Sequence, residues 1–465
     1  MLTVEWIAQA VRGKLYNPDR SVEIKGFSID TRTLRAGDFF IALKGVRTDG
    51  HYFLLDACHK GASGALIQST SSQVCKFASF KNIVRVEDTY LGLRQLARAY
   101  RQEFDIPIIG ITGSSGKTTT KELLYKTLSE KYRAYRSPGN LNTEYGLPLA
   151  LLNMSQNTEI AVFELGMQRR GEIKELADIL KPTIGVITSI GDAHLGFFEG
   201  REALAQAKWE LIEALPKDGL AVLNKDSLQV CKLTSDKLKG RKRKIEFAIE
   251  SQADHQARDI RDEDLSGLSF EVASPKGRFK LNSALLGRFN VYNIMAAVAV
   301  AVELGVNLKS IQKAVQEFRP IPHRMELKKS KLGLILDDCY NASPSATQQA
   351  LLTLSRLQTP LKKIFVFGDM RELGDFSEQE HKKIAAHIAE LKIEQVFTLG
   401  ELAAETAKAL IERHGWNPER VKITQSREEL KATLTATLKG DQNLILIKGS
   451  RAMELDKLVD GLTDI

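Results

Sequence analysis

A chain of 465 residues is too long for a single hydrophobic core and implies about three domains. Its apolar fraction of 43% and charged fraction of 27% are those of a globular protein and exclude a disordered or low-complexity chain. The formal charge of +8 favours anionic partners such as nucleotides and sugar phosphates.

The first ~80 residues alternate short strand-like runs with Gly-Asp and Asp-Gly turns and few long helical patterns. Met1–Gly13 carries Glu5 and lacks the basic start and apolar core of a secretion signal, so a cytoplasmic location is expected. The middle of the chain changes style. Ile106–Thr112 is an apolar strand followed by a glycine-rich turn and a helix from about Lys117. Glu159–Leu165 and Ile184–Ile190 are further β-branched strands with helix-period segments between them. Apolar strands joined by helical crossovers predict a parallel sheet covered on both faces. The longest apolar run, Ile294–Val302, is too short to span a bilayer, so no membrane insertion is expected. Arg319-Pro-Ile-Pro322 stops the preceding helix and makes a hinge. Beyond it, Gly333–Asp337, Lys363–Gly368, Val396–Leu399 and Leu444–Ile447 are strands between helices, a second α/β unit of Rossmann type. The expected architecture is therefore α/β in three domains: 1–82, 83–318 and 319–465.

Two features argue against other classes. The basic run Lys237–Lys244 has no interleaved aromatics to stack bases, which predicts a solvated loop and no nucleic-acid partner. Cys58, Cys75, Cys231 and Cys339 are scattered without a CxxC pair, which predicts plain thiols.

Gly113-Ser-Ser-Gly-Lys-Thr-Thr119 follows a strand and opens a helix, the context a phosphate-cradling loop requires. Here Gly113 and Gly116 let backbone N–H groups turn toward phosphate oxygens. Ser114, Ser115 and Thr119 complete the cradle, Lys117 neutralises the β- and γ-phosphates, and the Thr118 hydroxyl ligates Mg²⁺. Ile111 stands where the strict motif has its first glycine, which disfavours a generic GTPase or motor ATPase.

Glu164 and His194 lie at or just past strand ends, where open α/β sheets bind ligands, so both are placed to reach a phosphate-bound metal. Alone, each reads equally well as a capping carboxylate or a loop histidine. Lys208 falls on the apolar stripe Leu204–Leu211–Leu215 of its helix. Lysine there either snorkels or is a desolvated amine, able to add CO₂ and become an anionic carbamate.

These segments, with Gly139-Asn-Leu-Asn-Thr-Glu-Tyr-Gly-Leu-Pro148, Gly287-Arg-Phe-Asn-Val-Tyr-Asn293 and His323-Arg-Met-Glu326, resemble the Mur ligase family in order along the chain. Leu336–Pro344, Gly368–Gly374 and Lys448–Arg451 are similar to the branch that adds D-alanyl-D-alanine, and Ser28–Arg32 with Gly37–Gly45 resembles its UDP-sugar module. The resemblance implies an ATP- and Mg²⁺-dependent ligase acting on UDP-N-acetylmuramoyl-tripeptide and D-alanyl-D-alanine as a monomer. It implies that Lys117, Asn140 and Arg324 hold the γ-phosphate, and that Thr118 and Glu164 serve one Mg²⁺. His194 and carbamylated Lys208 serve a second. Asn290 and Asn293 lie by the adenine, with Asp338 and Tyr340 reaching the nucleotide from the C-terminal side. Ser28, Asp30, Thr31 and Arg32 meet the uridine diphosphate, and Asn341, Lys448, Ser450 and Arg451 meet the dipeptide or acyl substrate. Ser343, Thr31 and Tyr52 depart from the family's usual residues. Two other readings are a family member that adds the third residue, whose Asp-Asn-Pro-Arg motif is missing, and a nucleotide-binding regulatory protein without catalysis.

Overall fold

The computed structural model describes residues 2–46, 48–68, 80–192, 195–238 and 243–463. The first unit contains α1 (Val4–Ala10), β1 (Lys14–Tyr16), β2 (Gly26–Ser28), β3 (Asp38–Ile41), α2 (Leu54–His59), β4 (Gly64–Gln68) and β5 (Ile83–Val86). Its five strands form one sheet in the order β1-β5-β4-β3-β2, with β2 at an edge. Because β5 pairs inside this sheet, the unit extends past the division expected at residue 82. Helix α3 (Thr89–Gln102), capped by the Asp88 carboxylate, leads into the second unit.

That unit runs β6 (Ile108–Thr112), α4 (Lys117–Leu128), β7 (Ala134–Arg136), α5 (Gly146–Leu152), β8 (Ile160–Glu164), α6 (Glu172–Leu180), β9 (Ile184–Ile187), α7 (Arg201–Glu213), β10 (Leu220–Asn224) and α8 (Leu228–Leu233). It continues through β11 (Arg243–Ala248), β12 (His255–Asp262), β13 (Leu268–Ser274), β14 (Gly277–Ser283), α9 (Phe289–Glu303) and α10 (Leu308–Glu317). Strands β7 to β12 are parallel as expected, but β12, β13 and β14 close the nine-stranded sheet as an antiparallel meander, so the sheet is mixed. The alternating burial of β13 and β14, one face apolar and one polar, is what an antiparallel strand with a solvated face needs. The basic run expected as a loop is divided: Arg243 and Lys244 begin β11, and 239–242 lie outside the described residues.

The third unit runs β15 (Glu326–Ser330), β16 (Gly333–Asp337), α11 (Pro344–Arg356), β17 (Lys362–Gly368), α12 (Ser377–Ala389), β18 (Gln395–Leu399), α13 (Glu401–His414), β19 (Val421–Thr424), α14 (Arg427–Thr437), β20 (Asn443–Lys448) and α15 (Leu455–Thr463). Its six strands are parallel except for β15, which pairs antiparallel with β16. Among the described residues no helix is long and apolar enough to cross a membrane.

Packing joins the first two units closely. One core runs from Val4, Phe39 and Val84 through Leu93 and Tyr100 to Phe163 and Leu211 without a break. Asn153, just past α5, adds a polar tie: its Oδ1 accepts from the Phe27 N–H at 3.0 Å and its Nδ2 donates to the Phe27 carbonyl at 3.0 Å. The third unit has one core of its own and a second that takes in Leu286 of the second unit, and it is reached through the connection between Glu317 and Glu326.

Candidate active site

The loop between β6 and α4 is shaped by what its glycines exclude. Gly116 has φ +82°, and a Cβ there would lie 2.1 Å from Asn293 Oδ1. The helix α9 that carries Asn293 therefore packs against bare backbone. The first-turn amides of α4, Lys117 to Thr119, have no intrahelical acceptor and carry the positive end of the helix dipole. Lys117 Nζ donates to the Gly113 carbonyl at 2.8 Å, which folds its amine back over the loop. Burial lowers the pKa of that amine, against the opposing pull of Glu164.

Glu164, at the end of β8, is 3% exposed. Its two oxygens accept from the Thr118 hydroxyl at 2.9 Å and from Asn142 Nδ2 at 2.8 Å. From the third unit, Arg324 Nη2 donates to Thr118 Oγ1 at 3.0 Å, while its guanidinium lies 4.1 Å over the Tyr340 ring. Lys117, Thr118, Glu164 and Arg324 thus converge across two units. They line a cleft of about 860 Å³ whose wall also holds Ser114, Ser115, Asn140, Asn290, Asn293, Asp338, Tyr340, Asn341 and Lys448. A hydroxyl and a carboxylate side by side are hard oxygen donors of the kind that suit Mg²⁺.

Lys208 lies outside the cleft wall, on the buried side of α7, and is 1% exposed. Burial, and secondarily the charge of Lys117, drive its pKa well below the ordinary lysine value. His194 lies outside the described residues.

The remaining candidates separate into those placed at the cleft and those placed elsewhere. Asn293 Nδ2 donates to Asn290 Oδ1 at 2.8 Å and Asn290 Nδ2 to the Leu286 carbonyl at 2.7 Å, so this pair buttresses Gly116. Asp338 is held by Lys448 at 2.5 Å, and Lys448 also donates to the Asn341 carbonyl at 3.1 Å. Burial raises the Asp338 pKa despite that lysine. Ser450 and Arg451 do not line the cleft: the Ser450 hydroxyl accepts from the Arg371 amide at 2.7 Å, and Arg451 pairs with Asp456 at 2.8 Å. Ser28, Asp30, Thr31 and Arg32 lie on the first unit, away from this cleft. There Arg32 pairs with Asp30 at 2.6 Å, the Ser28 hydroxyl donates to the Asp30 carbonyl at 3.0 Å, and Lys60 donates to the Thr31 carbonyl at 2.9 Å.

Three supports were not read from the sequence. Lys121, fully buried, donates to the carbonyls of Ser137 at 2.8 Å and Gly139 at 2.7 Å and so fixes the turn that presents Asn140. Its position four after Lys117, on the same face of the helix, was the available signal. Asn142 orients Glu164 and was quoted only as part of a segment. Cys339, expected to be a plain thiol, lies with His323 and Asp337 near the hinge. Burial keeps its thiol protonated, and Asp337 is already bound by Lys328 at 2.8 Å and His323 Nδ1 at 2.8 Å, so this trio braces the turn carrying Arg324.

Comparison with known proteins agrees with this geometry. Residues 23–101 match the Mur ligase family catalytic domain, 111–301 the Mur ligase middle domain, and 323–451 the Mur ligase glutamate ligase domain. The UDP-N-acetylmuramoyl-tripeptide–D-alanyl-D-alanine ligase of Bacillus subtilis is 37% identical, over 99% of this chain and 98% of its own. The crystal structure of MurF from Acinetobacter baumannii superposes with a TM-score of 0.87 at 30% identity, covering 100% of this chain and 99% of that one. MurF from Thermotoga maritima in complex with ADP superposes with a TM-score of 0.80 at 29% identity, covering 95% and 97%. With family models and relatives matched over nearly its whole length, the chain belongs to the Mur ligase family.

Proposed function

We propose that the chain joins D-alanyl-D-alanine to UDP-N-acetylmuramoyl-tripeptide at the expense of ATP, giving the UDP-linked pentapeptide precursor of peptidoglycan, ADP and phosphate. The observation that carries this reading is Arg324 reaching across from the third unit to Thr118 at the mouth of the phosphate loop.

The residues divide the work by charge and position. The α4 amides and Lys117 hold the β- and γ-phosphates, and Asn140 and Arg324 hold the γ-phosphoryl group from two further sides. Transfer of that group to the acceptor carboxylate forms an acyl phosphate and frees ADP. The dipeptide amine then attacks the acyl carbon, expels phosphate and loses a proton. Thr118 and Glu164 are the residues to hold Mg²⁺, which neutralises phosphate charge when bound. Lys208 as its carbamate, with His194, is the set to hold a second ion. An uncharged amine is what CO₂ requires, and the burial of Lys208 supports that state. The first unit, with Ser28, Asp30, Thr31 and Arg32, takes the uridine diphosphate, the second takes ATP, and the third takes the dipeptide through Asn341 and Lys448. The reading takes a monomer as the catalytic unit and the cytoplasm as the source of its ATP.

The test is phosphate release from the purified chain with ATP, UDP-muramoyl-tripeptide and D-alanyl-D-alanine. Release is expected only with all three present, with the pentapeptide as product. Equal release when the dipeptide is omitted, or product formed from the dipeptide-stage acceptor and a free diamino acid, overturns the reading.

A further inference from the structure

The cleft has a charged wall that the reaction described above does not use. Arg94 on α3, Glu144 and Tyr145 in the turn before α5, and Glu175 on α6 all line it. Tyr90 bridges them: its hydroxyl donates to Glu144 Oε2 at 3.0 Å and accepts from Arg94 Nη1 at 3.2 Å. Arg94 also pairs with Glu175 Oε2 at 3.3 Å, and its side chain keeps 17% exposure. Among the described residues its guanidinium bonds through Nη1, so Nε and Nη2 are the donors left for a ligand in the cleft that Arg94 lines. The result is a donor fork and a carboxylate set side by side at a fixed spacing.

The other charged walls are already committed. Asp226 accepts from the amides of Ile249, Glu250 and Ser251 at 2.7, 2.9 and 2.9 Å and from the Tyr292 hydroxyl at 3.0 Å. Asp338 and Lys448 neutralise each other. Glu144 follows Asn142, which orients Glu164, by two residues, so the charged wall adjoins the phosphate end of the cleft. On the proposed reaction, the carboxylate that receives the phosphoryl group belongs to the third residue of the acceptor peptide. The side chain of that residue branches from the carbon beside the reacting carboxyl and must lie against a nearby wall.

We infer that Arg94, Tyr90 and Glu144 form the subsite for the side chain of the acceptor's third residue and select one that ends in both a carboxylate and an ammonium group. This inference rests on the ligase reading above. A guanidinium fork takes a carboxylate through two parallel hydrogen bonds, and Glu144 takes the ammonium beside it. A third residue ending in an ammonium alone, as lysine does, leaves the Arg94 fork facing methylenes and desolvated without a partner. Diaminopimelate, whose distal end carries both groups, satisfies the whole wall.

The test compares two UDP-muramoyl-tripeptides that differ only at this distal end, meso-diaminopimelate against L-lysine, with ATP and D-alanyl-D-alanine held saturating. A charge-assisted bidentate pair corresponds to a preference of about 10- to 100-fold in kcat/KM for the diaminopimelate form. In Arg94→Met that ratio should collapse to within about twofold, and in Arg94→Lys it should keep an intermediate value. Glu144→Gln should lower kcat/KM for both acceptors and preserve their ratio, because both carry the ammonium. Each ratio is taken on one preparation, so loss of folded enzyme cancels. Equal use of the two acceptors by the wild type, or an unchanged ratio in Arg94→Met, overturns the subsite. Failure of both acceptors to give any product instead overturns the ligase reading itself.

Discussion

Replacing Gly116 by alanine tests how the phosphate loop is held open. The new Cβ would meet Asn293 Oδ1 at 2.1 Å and Asn293 Cγ at 3.0 Å, so Asn293 has to withdraw by about an ångström, since real Cβ atoms essentially never sit closer than 3.0 Å. It cannot do so freely, because its Nδ2 is bonded to Asn290 at 2.8 Å in a buried site. Breaking that bond costs about 1–3 kcal/mol, and holding alanine at a positive φ adds about 1–2 kcal/mol. If the loop keeps its shape only at this cost, ATP binding weakens by about 2–5 kcal/mol, or roughly 30-fold to a few thousand-fold. Calorimetric titration of Gly116→Ala with ATP, alongside its thermal melt, reads the loss and its division between binding and folding. In the double variant Gly116→Ala/Asn293→Ala the clash disappears and the backbone term alone remains, so the two substitutions should be non-additive by about 1–3 kcal/mol. ATP affinity within threefold of wild type in Gly116→Ala, or strict additivity in the pair, refutes the packing argument.

Lys208→Arg puts a permanent positive charge in the site and cannot form a carbamate, so it should lose nearly all ligase activity. Lys208→Ala should be partly rescued by acetate or formate, and an active Lys208→Arg would make the lysine structural. Lys121→Met leaves the carbonyls of Ser137 and Gly139 without their donor; an increase of about tenfold or more in the KM for ATP is expected, and an unchanged steady-state profile would contradict a role in presenting Asn140. Arg32→Ala should weaken acceptor binding and leave ATP affinity within about twofold; equal losses would mean that the first unit does not hold the acceptor. His255 is 1% exposed with Nδ1 unpartnered, and burial lowers its pKa from 6.5 to about 4. The unfolded chain therefore takes up this proton first as pH falls below 6.5, and up to about 3 kcal/mol of stability is lost on the way to about pH 4. Urea midpoints measured between pH 7 and 4 should fall less steeply in His255→Phe, and parallel curves would show that another group controls the acid limb.

The parts of the site that were legible in the sequence are those in which chemistry and local geometry coincide. Gly113–Thr119 names its own strand, turn and helix, and Glu164 and Lys208 are marked by a strand end and an apolar stripe. Arg324 was placed at the phosphates through resemblance, and its contact with Thr118 spans two units, which no local spacing encodes. No strand is expected over Leu268–Ser283 in the sequence reading, although the alternation of buried and exposed residues in β13 and β14 runs through it. Arg94 is an ordinary charged residue on its helix and Glu144 is quoted only within the Gly139–Pro148 segment, and the two meet only through Tyr90. Ser450 and Arg451 are legible through their motif alone; in the structure Ser450 accepts from the Arg371 amide, and Arg451 pairs with Asp456 and lies 5.9 Å over the ring of Tyr340 in the cleft wall.

The Asn153 carboxamide presents to Phe27 one acceptor and one donor, the same two groups a neighbouring strand would offer. It therefore stands in for a sixth strand along the open side of the first sheet, where unpaired backbone would otherwise invite another chain to add itself. Swinging the first unit away from the second would uncover that side and the apolar core beneath it together. Protection against sticking to its own copies and rigidity between the first two units are thus one property of this molecule, and a change that loosens Asn153 weakens both.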